Sequence, residues 1–298
     1  MSIKNNFMKF IAAGIVAVSS INGAAFAAES ALKVQHFPAG EHGFYRAPVL
    51  LSGEHDALLI DGGFTYPDGQ ALVAAINASG KTLTTIYVSQ SDPDYYFSLA
   101  PIKAAFPDVR VIAASATIEA IKANVKKKLA IWGPQLQANG PQTMDDIVLP
   151  EAYDESSLRI ESHHLDIVNA EGLANRRYLW EPSSRAILGG VMVFSGVHVW
   201  TADTAGAAGR EAWINNLNAM LEREPKMVIA GHMSPDAPTD ASAIRYTRDY
   251  LLAFEEELAK ATNSEQLIKA MTKRYPNAGM GVALQIGAKV AMGEMKWG

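Results

Sequence analysis

The chain of 298 residues contains no cysteine. A disulfide bond, a thiolate metal ligand and a catalytic thiol are therefore all excluded. A chain of this length can bury enough apolar surface to be stable without covalent cross-links. Metal ligands and catalytic groups, where present, have to come from other side chains.

Long basic runs are also absent. Lysine and arginine together number 26 against 31 aspartates and glutamates, which gives a formal net charge of −5 at pH 7. An acidic chain without a basic tract is poorly suited to bind the phosphate backbone of a nucleic acid. The one basic cluster, Lys126–Lys128, lies in a helical pattern and is interpreted as a solvated helix face. We expect a small-molecule substrate or ligand and no nucleic acid.

No apolar run has the roughly 20 residues that a membrane-spanning helix needs. The short run Phe10–Val18 follows Lys4 and Lys9 and precedes Ala25-Phe26-Ala27, a small-x-small cleavage site. This is the pattern of an export signal. We predict a signal peptide over the first 27 residues, cleaved after Ala27, and a periplasmic or secreted domain over 28–298 without a membrane span. An uncleaved N-terminal tether is the alternative.

Several catalytic motifs are missing. The sequence has no Gly-x-Ser-x-Gly elbow, no phosphate-binding loop and no His-Glu-x-x-His pair. These absences argue against a serine hydrolase, a nucleotide-binding protein and a zincin-type protease.

Hydrophobic periodicity and turn residues predict alternating strands and helices. Strands are expected at 44–52, 57–61, 84–88, 109–113, 158–160, 164–167, 178–181, 186–188 and 226–230. Helices are expected at 69–79, 96–105, 115–131, 211–221, 240–261, 264–275 and 282–292, with a long loop at 133–142. Two successive halves of this kind predict an α/β protein with two sheets packed face to face and helices outside. The C-terminal helices, over 238–298, belong to the same domain.

The most informative stretch is 89–96, Ser-Gln-Ser-Asp-Pro-Asp-Tyr-Tyr, directly after the strand 84–88. Before it, Leu58–Gly63 is a strand ending in Asp-Gly-Gly, and after it, Ile229–His232 is a late strand ending in Gly-His. In this order the landmarks resemble the metallo-β-lactamase superfamily, whose members carry a His-x-His-x-Asp-His loop in place of the first stretch. The resemblance covers about 44–233. It implies an αββα four-layer sandwich and a hydrolase.

The resemblance also implies where metal ligands would stand, and most of those positions have changed. The changed positions are Gln90, Asp92, Tyr95, Glu171 and Gly190, and the retained ones are Asp94 and His232. A standard two-zinc site is not expected, because a neutral amide is a poor zinc ligand and a glycine side chain offers none. The surviving set is rich in oxygen and suits one divalent cation: Mg²⁺, Mn²⁺, Ca²⁺ or a single Zn²⁺. The predicted metal ligands are Asp92, Asp94, Glu171 and His232.

Two further candidate acid–base residues lie in the second half of the chain. If the segment after Gly190 folds back over the cleft, His198 and Asp203 would either replace lost metal ligands or serve beside Asp94 as catalytic acid and base. The alternative is that His198 is a packed, hydrogen-bonded histidine. The residues predicted to bind substrate are Tyr95, Trp200 and Gln90.

Two functions remain open. The first is an exported hydrolase with an atypical, oxygen-rich metal site that acts on a small ester, lactone, amide or phosphoester. The second is a binding protein that kept the fold and lost the metal chemistry. The replaced ligands favour the second function, as does an ordinary turn at Asp92-Pro93-Asp94. The acidic cluster favours the first, because unpaired carboxylates are costly in a site with no task. On balance the hydrolase is favoured.

Overall fold

The computed structural model describes residues 31–297, so the predicted signal peptide lies outside the described residues. From Ala31 onward the chain forms one compact unit. Within the described residues, no helix is long and apolar enough to cross a membrane.

The first sheet contains six strands. They are β1 (Lys33–His36), β2 (Val49–Ser52), β3 (Asp56–Ile60), β4 (Thr82–Tyr87), β5 (Arg110–Ala113) and β6 (Glu151–Ala152), in this spatial order. The pairs β1–β2 and β2–β3 are antiparallel, and the strands from β3 to β6 run parallel. The apolar runs of β2 and β3 are almost wholly buried, as expected for strands covered on both faces.

The second sheet contains five strands, and two short strands lie apart from it. The strands of the sheet are β7 (Ser157–Ile160), β8 (His163–Asn169), β9 (Arg177–Glu181), β10 (Ala186–Leu188) and β12 (Met227–Val228), and the separate pair is β11 (Phe194–Ser195) with β13 (His232–Met233). The order in the sheet is β12-β10-β9-β8-β7. The parallel pairing of β11 with β13 brings Phe194 opposite His232.

Seven α-helices occur in the described residues. They are α1 (Tyr66–Ser79), α2 (Leu99–Ala105), α3 (Ser115–Leu136), α4 (Ala207–Glu222), α5 (Ala241–Leu258), α6 (Ser264–Arg274) and α7 (Gly281–Ala291). Helix α1 shows why the boundaries fall where they do. Thr65 and Asp68 form a reciprocal capping box at its start, and Gly80 takes the left-handed conformation at its end.

Two sheets with helices outside confirm the predicted αββα architecture. One continuous cluster of buried side chains forms the core, and it includes Leu50, Leu59, Leu179 and Ile187 from the two sheets.

The predicted loop at 133–142 is partly wrong, because α3 continues through Pro134 to Leu136. Proline lacks the N–H that an earlier carbonyl would accept, so sequence patterns favour a helix end before it. Here the Gln142 side-chain amide donates to the carbonyls of Gly133 and Gln137, at 3.1 and 2.5 Å, and so satisfies carbonyls at the helix end. A side chain from beyond the helix therefore stabilises its last turn.

Chain segments that follow three strands meet at one edge of the sandwich. Asp61 follows β3, Ser89 follows β4, and Gly190 follows β10. The Ser89 backbone N–H and hydroxyl donate to the Asp61 carboxylate at 2.6 and 2.7 Å, and the Gly190 N–H donates to Ser89 Oγ at 2.9 Å. These bonds join the two sheets directly beneath the candidate site.

Candidate active site

A cavity of about 970 Å³, called the cleft below, opens at this edge. Its walls come from the loop after β4, from α3, from the segment 200–206, from α7 and from the last described residues. Pockets of this size hold a small organic molecule. Side chains that line the cleft include Phe44, Phe64, Gln90, Asp92, Asp94, Tyr95, Lys128, Ile131, Trp132, Arg176, Trp200, Asp203, His232, Val282, Met295 and Trp297.

A buried arginine lies beneath the cleft. Arg46 has no solvent exposure, and its guanidinium pairs with the Asp61 carboxylate and donates to the Gly231 carbonyl. The same group lies 4.0 Å from the centre of the Tyr95 ring. Arginine stays protonated in proteins. The chain therefore carries a permanent positive charge beneath the positions at which the resemblance placed metal ligands.

Asp94 and His232 meet at the buried end of the cleft. The Asp94 Oδ2 atom lies 3.4 Å from His232 Nε2, and the Tyr95 hydroxyl lies 3.4 Å from the same nitrogen. On the other side of the ring, His232 Nδ1 lies 2.8 Å from the Phe44 carbonyl oxygen. A carbonyl only accepts, so Nδ1 carries the proton and Nε2 presents its lone pair to Asp94.

The protonation states of this pair follow from its burial. Burial raises the pKa of Asp94 to about 7, and the negative charge of Asp92 adds to the effect. Burial and the positive charge of Arg46 lower the pKa of His232 to about 3. His232 is therefore neutral at pH 7, while Asp94 changes its charge near that pH. Asp94 Oδ2 is buried without a hydrogen-bond partner among the described residues, so it is free to take up or share a proton.

Three predicted residues form a polar wall further out. Asp92 lies 3.7 Å from the Lys128 ammonium group, and burial raises the pKa of Asp92. Asp203 accepts from the indole N–H of Trp200 at 3.0 Å and from that of Trp297 at 2.7 Å. Asp203 therefore positions two tryptophans, and its predicted acid–base role stays a prediction.

The residues predicted to bind substrate, Gln90, Tyr95 and Trp200, all line the cleft. Gln90 is buried and accepts from the backbone N–H of Ser91 at 2.8 Å through its side-chain carbonyl. Their predicted role stays a prediction.

Two other predicted site residues lie elsewhere. Glu171 is an exposed residue in the turn between β8 and β9, where its backbone bonds to the Asn216 side chain of α4. His198 does not line the cleft, and its Nδ1 lies 2.9 Å from the Tyr250 hydroxyl. The packed, hydrogen-bonded histidine that the sequence left open describes His198 better than a catalytic acid or base.

The side chains do not fit a zinc pair. Among residues 31–297, no group of three or more histidine and carboxylate side chains lies close enough to hold a metal ion. Within the described part of the chain, Asp94 Oδ2 and His232 Nε2 are the two such atoms that converge, at 3.4 Å. A resident zinc needs three or four protein ligands. The single divalent cation expected from the sequence, with Asp92, Asp94, Glu171 and His232 as its ligands, stays a prediction, although Glu171 lies away from the other three.

Sequence reasoning missed Arg46, Arg176 and Trp297. Arg46 carried one local signal, because a charged residue stood beside the apolar run that became β2. Arg176 lies 3.6 Å from Asp203, and nothing in its own sequence neighbourhood marks that contact. Trp297 joins the site from the far end of the chain.

Comparisons with solved structures bear on the fold. A metallo-β-lactamase family protein from Thermus thermophilus aligns with a TM-score of 0.57 and 13% identity, over 88% of this chain and 93% of that one. A metallo-β-lactamase from Pontibacter korlensis aligns with a TM-score of 0.52 and 17% identity, over 74% and 99% of the two chains. The DIM-1 metallo-β-lactamase aligns with a TM-score of 0.50 and 17% identity, over 70% of this chain and 86% of that one.

No protein-family model and no curated protein matches the chain. At the identities found among solved structures, the likeness is one of fold. The chain has the metallo-β-lactamase fold, which confirms the resemblance at that level.

Proposed function

We propose that this protein hydrolyses a small ester or lactone with a water molecule activated by Asp94 and His232. The observation that carries the proposal is the arrangement of Asp94. Its Oδ2 atom is buried without a hydrogen-bond partner in the described part of the chain, lies 3.4 Å from an unprotonated imidazole nitrogen and belongs to a residue that lines the cleft. A carboxylate beside a neutral histidine is suited to accept a proton and to return it.

The reaction would proceed in two steps. Ionised Asp94 removes a proton from water, and the water oxygen forms a bond with the substrate carbonyl carbon. Protonated Asp94 donates a hydrogen bond to His232 Nε2. This hydrogen bond keeps the proton on Asp94 while the tetrahedral intermediate persists. The ester C–O bond then breaks, and the proton passes to the departing alkoxide. The products are a carboxylic acid and an alcohol.

Arg46 would act through Asp94 as a positioning residue. Its guanidinium contributes a positive charge that favours the ionised form of Asp94. It also favours a neutral His232. In this proposal the charge built into the fold supports the acid–base pair, and no step passes through a metal ion. Export to the periplasm or the medium is part of the proposal and rests on the N-terminal sequence pattern alone.

A panel of esters, lactones, amides, phosphoesters and β-lactams would test the function. We expect turnover of esters or lactones that falls at least ~100-fold in Asp94→Asn, the lower range for loss of acid–base assistance. His232→Gln should show a similar loss. Glu171→Gln is the matched control, because Glu171 was predicted as a ligand and lies at an exposed turn, and it should keep full activity.

A binding protein without turnover is the second candidate. The changed positions Gln90, Tyr95 and Gly190 favour it, since Tyr95 and Gly190 are engaged with other protein groups. The Tyr95 hydroxyl donates to the Gly190 carbonyl at 3.3 Å. Ligand binding in the cleft with no turnover across the panel would select this candidate.

A further inference from the structure

The mouth of the cleft is rich in apolar side chains. Seven large apolar side chains are exposed among residues 31–297, and four of them line this one cavity. We call these four the apolar rim: Ile131, Val282, Met295 and Trp297. Their exposures are 45, 38, 36 and 37%. Exposed apolar side chains scattered singly need no explanation, whereas a group around a cavity marks a binding surface.

The inner wall continues the apolar surface toward the buried end. Phe44, Phe64 and Trp132 pack edge to face, with ring centres 4.9 to 5.4 Å apart. All three line the cleft. An elongated apolar group entering over the rim would therefore meet aromatic rings along its path.

Charged side chains also line the cleft, and some of them lie beside the rim, where Asp203 accepts from the indole N–H of Trp297 at 2.7 Å. Two pairs of charged groups in the cleft face each other, Asp92 with Lys128 at 3.7 Å and Asp203 with Arg176 at 3.6 Å. Asp94, 7% exposed, keeps a buried oxygen without a hydrogen-bond partner in the described part of the chain. Among the described residues, the cleft thus has a carboxylate oxygen without a hydrogen-bond partner at its buried end, and its mouth carries the apolar rim beside charged groups that are already paired.

We infer that the cleft takes an amphiphilic ester, with the ester group beside Asp94 and a medium-length alkyl or acyl chain against the apolar rim. This inference rests on the proposed function for the position of the ester group. The apolar chain removes the four rim side chains from water, and each buried methylene group adds to affinity. The volume of about 970 Å³ accommodates a head group and a chain together.

Binding is measured separately from turnover with the methyl ketones from 2-butanone to 2-dodecanone, which cannot be hydrolysed. Tryptophan fluorescence reports occupancy, because Trp132, Trp200 and Trp297 line the cleft. We expect the Kd to fall by roughly two- to fourfold for each added methylene until the rim is covered, the upper value corresponding to full burial. The 4-nitrophenyl esters from acetate to decanoate should show the same trend in kcat/KM.

Two rim variants and one matched control locate the effect. Ile131→Asn and Val282→Asn should each raise the Kd of the long ketones about tenfold, because each removes apolar contact equivalent to burying one or two methylene groups. The Kd of the short ketones should not change. Leu252→Asn is the control, because Leu252 is 50% exposed on α5 and lies outside the cleft. It should bind every ketone like the unaltered protein.

The possible results separate the two proposals. A Kd that does not change with the chain length of the ketone would overturn the amphiphile inference, even if short esters are hydrolysed. So would a Leu252→Asn variant that loses as much affinity for the long ketones as the two rim variants. Chain-dependent ketone binding without ester turnover would support the inference about the cleft and would contradict the proposed hydrolysis.

Discussion

Arg46 is fully buried, and its guanidinium pairs with Asp61, which is also fully buried. The pair lies beneath Asp94 and His232, where the resemblance implied a metal site. Burying a charged pair is costly, and removing one partner leaves the other charge uncompensated. The charges at the base of the cleft are therefore sensitive to single substitutions.

Arg46→Met should lower the free energy of unfolding by about 3–5 kcal/mol, the range for breaking a buried ion pair. Urea unfolding would measure the change. Arg110→Met is the control, because Arg110 pairs with Glu151 at the surface, at 3.4 Å. It should cost less than about 1 kcal/mol. Equal stability of the two variants would refute a structural role for the buried guanidinium.

Asp94→Asn should make the protein more stable at pH 8. Burial raises the pKa of Asp94 to about 7, whereas an unfolded aspartate titrates near its usual value of 3.8. As pH rises, Asp94 therefore loses its proton at a lower pH in the unfolded protein than in the folded protein. The free energy of unfolding falls as pH rises between these two pKa values. The asparagine side chain does not titrate, so it adds no pH dependence to the free energy of unfolding. The stability of the variant relative to the unaltered protein therefore increases from about pH 4 to about pH 7 and is constant above pH 7.

Thermal unfolding of both proteins at pH 4.5 and pH 8, in chelator, would measure this difference. A variant less stable than the unaltered protein at pH 8 would show that the ionised carboxylate is stabilised in the fold, contrary to our account.

The sequence could predict some of these residues and not others. Asp94 follows β4, and His232 follows the apolar run that was predicted as a strand at 226–230, so their meeting at one edge was predictable. Arg46 contacts Gly231, which is 185 positions away, and Trp297 contacts Asp203, 94 positions away. No local pattern reports such contacts, because they exist only once the sheets have packed.

At the scale of elements, the segment after β10 explains why one family position was lost. Gly190 has a φ of +71°, and a Cβ atom there would lie 2.0 Å from the Arg177 carbonyl oxygen. A backbone atom cannot move aside as the end of a side chain can. A metal-ligating side chain, which the resemblance implied at this position, is therefore excluded by the path of the chain as well as by the sequence.

Gly190→Asp should consequently destabilise the protein by more than about 3 kcal/mol, in the range of severe backbone strain, and should not create a zinc pair. Gly80→Asp is a matched control, with a φ of +67° and open space around its Cβ position. This variant should lower the free energy of unfolding by about 1–2 kcal/mol, because a residue with a side chain is strained in the left-handed conformation. A Gly190→Asp protein that folds like the control and takes up zinc would overturn this explanation.

A second element-scale contact joins the two sheets. The Glu161 carboxylate, in the turn between β7 and β8, accepts from the backbone N–H groups of Glu54, His55 and Asp56 at 2.9, 2.6 and 2.9 Å. These bonds lower the pKa of Glu161 to about 2 from its usual value of 4.5. The stabilisation is fully present above the unfolded pKa and is lost as pH falls toward the folded pKa.

Glu161→Gln should therefore lower the Tm at pH 7, and the difference from the unaltered protein should shrink at pH 3. Scanning calorimetry at the two pH values would measure it. Glu119→Gln, an exposed residue of α3 paired with Lys122 at 3.2 Å, is the control. A difference that stays constant with pH would indicate that the charge of Glu161 is unimportant.

The fold itself was largely predictable, for reasons visible in particular elements. Strands β2 and β3 are apolar runs bounded by a turn, and α1 has a clear cap at each end. Strands β6, β11 and β13 have two residues each and carry no periodic signal. They form because neighbouring strands offer backbone partners, which is a property of the assembled sheet.

At the scale of the whole molecule, the metallo-β-lactamase fold is kept, and a buried Arg46–Asp61 ion pair lies beneath the positions at which the resemblance implied metal ligands. A fold shared with enzymes does not by itself imply activity, so function has to be tested at the site. The single divalent cation predicted from the sequence and the metal-independent pair proposed from the geometry make opposite predictions about chelation.

The most direct test is the rate of 4-nitrophenyl ester hydrolysis by chelator-treated protein, before and after addition of Zn²⁺, Mn²⁺ or Mg²⁺, with Asp94→Asn measured in parallel. Our account predicts that the unaltered protein keeps its rate within about twofold in all conditions and that Asp94→Asn is at least ~100-fold slower. A rate abolished by the chelator and restored by one of the cations would contradict it, as would equal rates for the two proteins.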